Sequence, residues 1–130
     1  MCIRDSLATV EKQTGIGISY EKSGSSFPIS GSASIHIYRV LQEALNNAAR
    51  HSGAQKAWVR LRFLADHLEL AVEDHGKGFS RDAGSPGIGL VAMRERAELL
   101  GGRIEFSQPA GGGTLVRLTV SKERVEAHAE

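Results

Sequence analysis

SIHIYRVLQEALNNAARH (34–51) is the stretch on which the architecture turns. Ile37, Leu41, Ala44, Leu45 and Ala48 recur at the three-and-four spacing that lines one side of an α-helix, and Ser52-Gly53 closes the segment. The next stretch, KAWVRLRFLADHLELAVED (56–74), changes the period to two. Val59, Leu61 and Phe63 share one parity and Trp58, Arg60 and Arg62 the other; Ala65-Asp66-His67 then turns the chain into a second strand. A helix with an apolar stripe beside a hairpin with one apolar face implies two layers packed on each other.

On the N-terminal side, residues 7–14 read as the end of a short helix stopped by Gly15. IGISYEK (16–22) alternates as a half-buried strand, and SGSSFPISGS (23–32) reads as loop. On the C-terminal side, 75–87 is polar and glycine-rich without a period. Leu90, Met93, Ala97 and Leu100 then mark a helix ended by Gly101-Gly102. RIEFS (103–107) and TLVRLTV (114–120) are strands joined by QPAGGG, and KERVEAHAE (122–130) reads as a charged tail. The expected class is α+β: a two-layer sandwich with a mixed, mostly antiparallel sheet and about three helices on one face.

Composition restricts the function. The 130 residues fit one domain, and sixteen Lys and Arg against fifteen Asp and Glu leave a net charge of +1. That balance argues against nucleic acid as a partner, because sequence-independent binding needs a basic surface that displaces counterions. Cys2 is the one cysteine, which excludes a disulfide framework and a CxxC metal knuckle. No apolar run approaches the roughly 20 residues of a membrane helix, and the first residues lack a signal-peptide core. GxxxxGK[ST] is absent, which removes the P-loop, and GIGLVA lacks the third small position of a dinucleotide fingerprint after a leading strand.

Two groups of residues carry chemistry. On the long helix, Glu43, Asn47, Arg50 and His51 fall along one edge of the apolar arc. Asn supplies a hard oxygen suited to Mg²⁺, and Arg supplies a fork suited to phosphate. Taken alone, such a stripe is more commonly a solvated helix face. The second group is DHGKGF (74–79) with GIGL (87–90). Asp74 has the parity of Leu68, Leu70 and Val72, so a carboxylate ends a row of core-facing side chains, where it can accept a hydrogen bond from the exocyclic amine of a base. Gly76 and Gly78 remove side chains from the approach, and Gly87 and Gly89 lie just before a helix, whose free N–H groups favour phosphate. Trp58, by its parity, reads as a partly exposed packing residue. His67 and His75 lack metal-ligand spacing to another His or Cys, so a metal here means Mg²⁺ bound with nucleotide.

The runs QEALNNAARHSGA (42–54), VEDHGKGF (72–79) and GIGLVAMRERAELLGGRIEFSQPAGGGTLVRLTV (87–120) resemble the catalytic, ATP-binding domain of bacterial sensor histidine kinases. The likeness is to the subfamily of nitrate sensors, desaturase-regulating thermosensors and envelope-stress sensors. The resemblance spans residues 7–120 and implies a Bergerat-type fold of the gyrase, Hsp90, histidine kinase and MutL superfamily. It implies a catalytic domain over 7–121, with 1–6 as linker or foreign sequence and 122–130 as the tail. ATP and Mg²⁺ are the implied cofactors. Glu43 then matches the catalytic carboxylate and Asn47 the magnesium ligand, with Arg50 and His51 completing the first motif. Asp74, Gly76 and Gly78 match the adenine-binding glycine box. Gly87, Gly89 and Leu90 match the second, and Gly113 with Thr114 the last. The lid, Ser80–Pro86, is short.

The same resemblance implies a phospho-accepting histidine on a dimerisation domain absent from this chain, and a response regulator addressed by the complete kinase. The chain alone is then a cytoplasmic monomer, and its parent a homodimer that can be anchored in the inner membrane. A stand-alone serine kinase of the anti-sigma-factor type and a non-catalytic nucleotide-binding module are the competing readings.

Overall fold

Seven apolar residues of one helix, from Ala33 to Ala48, lie buried along a single stripe, and the rest of the chain is arranged to cover them. The computed structural model describes residues 3–50, 54–76, 88–108 and 112–126. Its elements run α1 (Ile3–Thr14), β1 (Gly17–Gly24), α2 (Gly31–Arg50), β2 (Lys56–Phe63), β3 (His67–Asp74), α3 (Ile88–Leu99), β4 (Arg103–Ser107), β5 (Thr114–Ser121) and α4 (Lys122–Val125).

The five strands form one sheet in the order β1-β2-β3-β5-β4. β1 pairs with β2 in parallel, and every other pairing is antiparallel. The sheet is therefore mixed and mostly antiparallel, as expected. Register aligns the core-facing residues in rows: Tyr20, Val59, Val72, Val116 and Phe106 form one, and Leu61, Leu70, Leu118 and Ile104 the next, with the exposed Lys22 beside Leu61 on the edge strand. Leu7 and Val10 of α1, the α2 stripe, Met93 and Ala97 of α3 and Val125 of α4 all join these rows in one core. The other face of the sheet is polar, with Arg60 paired to Glu73 at 3.1 Å and Arg62 to Glu69 at 3.4 Å. Arg117 Nε lies 3.9 Å from the same Glu69 carboxylate, beyond hydrogen-bond range.

Local chemistry sets the helix ends. Ser30 Oγ accepts the Ala33 N–H at 3.2 Å, so α2 starts three residues before the position its apolar spacing indicates. At the end of α3, the Gly101 N–H donates to the Glu98 carbonyl and the Gly102 N–H to the Ala97 carbonyl. With Gly101 at φ +69, this is a Schellman stop.

Residues 7–14 are the end of a helix, as expected; it starts at Ile3, which continues the spacing of Leu7 and Val10 and packs partly on the core. Two expectations need correction. Gly89 lies within the first turn of α3 and not ahead of it. The charged tail is in part folded: Lys122–Val125 is helical and Val125 is fully buried. The Ser30 N–H donates to the Val125 carbonyl at 2.8 Å and the Lys122 N–H to that of Asp66, anchoring one apolar residue set among charges.

Candidate nucleotide site

The row beyond the three valines is Ile18, Ala57, Asp74 and Thr114, aligned by the same register. Asp74 is 4% exposed, and it and Thr114 are the buried polar side chains among the described residues. A carboxylate so placed must be hydrogen-bonded, because desolvating an unpartnered one is costly. Its Oδ1 accepts the Gly76 N–H at 2.9 Å, which folds residues 74–76 into a turn around the carboxylate. Two small residues frame it. Ala57 stands beside it on β2, and Gly113 crosses its backbone from the start of β5. At φ +92, Gly113 sits so close that a Cβ there would overlap the Asp74 carbonyl oxygen. Only glycine allows that approach.

Helix α2 packs across β3, with Ala44 and Ala48 in the same core as Val72. Glu43 and Asn47 are the residues immediately before those alanines. They lie half-buried one turn apart, at the border of the stripe. Arg50 closes α2 and is exposed. Asp74, Gly76, Gly113 and Thr114 are thus brought together by the sheet, with Glu43 and Asn47 on the helix that covers it. His51, Gly78, Gly87 and the lid at 80–86 lie outside the described residues. Leu90 is half-buried against the core in the first turn of α3, which also carries Gly89.

The residues fit an adenosine nucleotide. A carboxylate has about four acceptor positions, so the Gly76 bond is compatible with a further one to a base amine. The donor set also fits Mg²⁺ that arrives with phosphates. Asn47 offers one hard oxygen, and no group of three His, Cys, Asp or Glu side chains that could hold a metal ion occurs among the described residues.

The turn is fastened from the other face of the sheet by residues to which spacing assigns no such role. The His75 ring lies on Trp58, with centroids 4.5 Å apart, and its Nε2 bonds to Glu73 Oε2 at 2.9 Å. That hydrogen bond holds the Glu73 carboxyl below its usual range; burial opposes the shift and Arg60 adds to it. The signal was in the hairpin register, which sets Trp58 directly opposite Glu73.

Comparison with known proteins gives the same class. The family described as "Histidine kinase-, DNA gyrase B-, and HSP90-like ATPase" matches residues 32–124. The chain belongs to that family, as an ATP-binding domain of the kind that sensor histidine kinases carry. The nitrate/nitrite sensor protein NarQ of Escherichia coli is 33% identical over 90% of this chain and 21% of its own length. The sensor histidine kinase YhcY of Bacillus subtilis is 42% identical over 60% of this chain and 21% of its own length. The chain thus spans about a fifth of these relatives. Among solved structures, the histidine kinase domain from an Erythrobacter litoralis blue-light activated kinase has a TM-score of 0.71. That likeness, at 21% identity, covers 93% of this chain and 60% of that one, and it supports the fold.

Proposed function

We propose that this chain is the catalytic part of a sensor histidine kinase, which binds Mg-ATP and passes the γ-phosphoryl group to a histidine on a dimerisation domain outside the present sequence. The observation that carries the reading is the buried Asp74 carboxylate, closed in by Gly76, Gly113 and Thr114. Asp74 accepts the adenine amine, with Gly113 and Thr114 at the rim of the base site. Asn47 gives an oxygen to Mg²⁺, and Arg50, with His51, faces the phosphates. Gly76 and Gly78 leave room for the base, and Gly87, Gly89 and Leu90 border the phosphate side. In the transfer step a histidine nitrogen of the dimerisation domain forms a bond to the γ-phosphorus as the bond to the β–γ bridging oxygen breaks. The bonding electrons leave with ADP, and Glu43 orients the attacking ring and takes its proton.

A response regulator then receives the phosphoryl group from the complete kinase, which acts as a homodimer. No helix among the described residues is long and apolar enough to cross a membrane, and we place this part in the cytoplasm, where ATP is available.

Calorimetric titration of the chain with Mg-ATP tests the reading. Asp74→Asn puts an amide donor against the base amine and is expected to weaken binding by about 1–3 kcal/mol; unchanged affinity overturns the placement. The chain alone, incubated with labelled ATP, is expected to remain unlabelled. Adding the dimerisation domain of its own parent should yield acid-labile phosphohistidine there, slowly, because the tether is missing. Stable labelling of a histidine in the isolated chain would contradict the assignment.

A further inference from the structure

The ladder of the sheet stops where the base site begins. Asp74 is the last residue of β3 to pair, with Ala57 on one side and Thr114 on the other, and the chain then runs on into His75 and Gly76. No strand pairing fixes the turn beyond that point, and Gly76 within it brings the widest choice of backbone conformations. A carboxylate that must meet one base amine has to be held to roughly 0.5 Å, by neighbours whose own side chains are locked.

His75 stands between Asp74 and Gly76, the two residues joined by the 2.9 Å bond to Oδ1. Its side chain lies on the outer face of the sheet, where it has two supports. Trp58 of β2 sits opposite Glu73, so His75, two residues on, is its diagonal neighbour, within reach of an aromatic side chain. The two rings meet with centroids 4.5 Å apart and planes inclined at 31°. The second support is the Glu73 carboxylate, whose Oε2 accepts from His75 Nε2 at 2.9 Å while its Oε1 accepts from Arg60 of β2 at 3.1 Å. One oxygen thus ties β3 to β2 and the other ties the turn to β3. On the main-chain side, Gly113 lies so close that a Cβ on it would stand 2.8 Å from the His75 Cα.

We propose that His75 is a positioning residue for adenine recognition: held by Trp58 and Glu73 on the outer face, it fixes the turn that aims the Asp74 carboxylate, and so sets the preference for a base with a 6-amino group. The inference rests on the assignment of Asp74 to that amine. His75 acts through the turn and makes no contact with the base. Without its side chain the Gly76 bond and the Gly113 contact remain, but residues 74–76 lose both ties to the outer face. The carboxylate then spreads over more orientations, and only the interaction that depends on its direction is weakened.

The test compares Mg-ATP with the magnesium complex of purine riboside triphosphate, which is ATP without its 6-amino group, by calorimetric titration of the whole chain. The parent chain is expected to prefer ATP by about tenfold or more, as a hydrogen bond to a charged group allows. His75→Ala should weaken ATP by about fivefold and leave the other nucleotide as in the parent chain, so that the preference shrinks. A merely structural role would not do this, because partial unfolding weakens both nucleotides alike. His75→Gln, which keeps an N–H donor toward Glu73, should restore most of the preference. Should His75→Ala fail to fold, His75→Phe, which keeps a ring on Trp58 and drops the bond to Glu73, should still lower the preference by about twofold or more. A preference unchanged in the folded variants, or an equal loss for both nucleotides, would overturn the proposal and leave the Asp74 assignment standing. Equal affinity for the two nucleotides in the parent chain would overturn that assignment, and the proposal with it.

Discussion

The two ends of the central hairpin use the same backbone device for different purposes. At one end Gly113, with positive φ, presses on the Asp74 carbonyl; at the other Gly24, also with positive φ, presses on that of Phe63. In both places a side chain at the glycine would overlap the neighbouring strand. The residues around them differ. The first end has a buried carboxylate, a threonine and an alanine, and the second has aromatic rings and exposed cations. Close backbone approach is therefore a property of this sheet's corners, shared by two ends whose side chains differ in chemistry.

The largest expected effect tests that claim directly. Gly113→Ala and Gly24→Ala should each destabilise the fold by about 3 kcal/mol or more, from strain and steric overlap, measured as a shift of the urea midpoint. Below the transition, Gly24→Ala should bind Mg-ATP like the parent chain, whereas Gly113→Ala should lose affinity. Equal nucleotide affinity in the two variants would dissolve the distinction between the ends.

Next in size is the effect of Glu43→Gln. Rebuilt into a complete kinase, it should slow phosphohistidine formation by about a hundredfold or more while leaving nucleotide affinity intact. Asn47→Ala, one turn away, should instead reduce ATP affinity by about tenfold with Mg²⁺ present and have little effect with EDTA, read by calorimetry in both buffers. A normal transfer rate in the first variant, or metal-independent loss in the second, would reassign the seam.

The smallest effect concerns the fastener behind Asp74. The Glu73 carboxyl is held low chiefly by its hydrogen bond to His75. Its contribution is therefore fully present above the unfolded-state value of about 4.3 and lost as pH falls through the lower folded value. Glu73→Gln should cost about 1 kcal/mol or less at pH 7 and progressively less as pH falls below the unfolded-state value, by urea unfolding at each pH. A cost that does not fall with pH would show that charge is not what holds the turn.

These regions also differ in how much the sequence disclosed. The Asp74 corner was legible because parity along LELAVED fixes which side chains face inward, and a carboxylate in an apolar row stands out. The long helix was legible for the same reason, with its own period. The Phe63 end was not. The cavity there draws its walls from Ile3, the 25–30 loop and β1, where one or two apolar residues stand among polar ones and no period develops. Val125 was hidden likewise: a lone valine in KERVEAHAE shows no stripe, and backbone bonds to Ser30 and Asp66 put it in the core. Patterns within an element reveal its buried face, whereas contacts between distant short segments leave no local trace.

The parallel pairing of β1 bears on the order of assembly. β2 and β3 are joined by a tight turn and can zip locally, but Gly17 meets Lys56 only after the whole of α2 has been laid across the sheet. Pairing across that sequence distance is entropically late, so the β1 edge is expected to form last in folding and to open first in native-state hydrogen exchange. The order would appear as faster exchange of the amides of β1 than of those around Asp74.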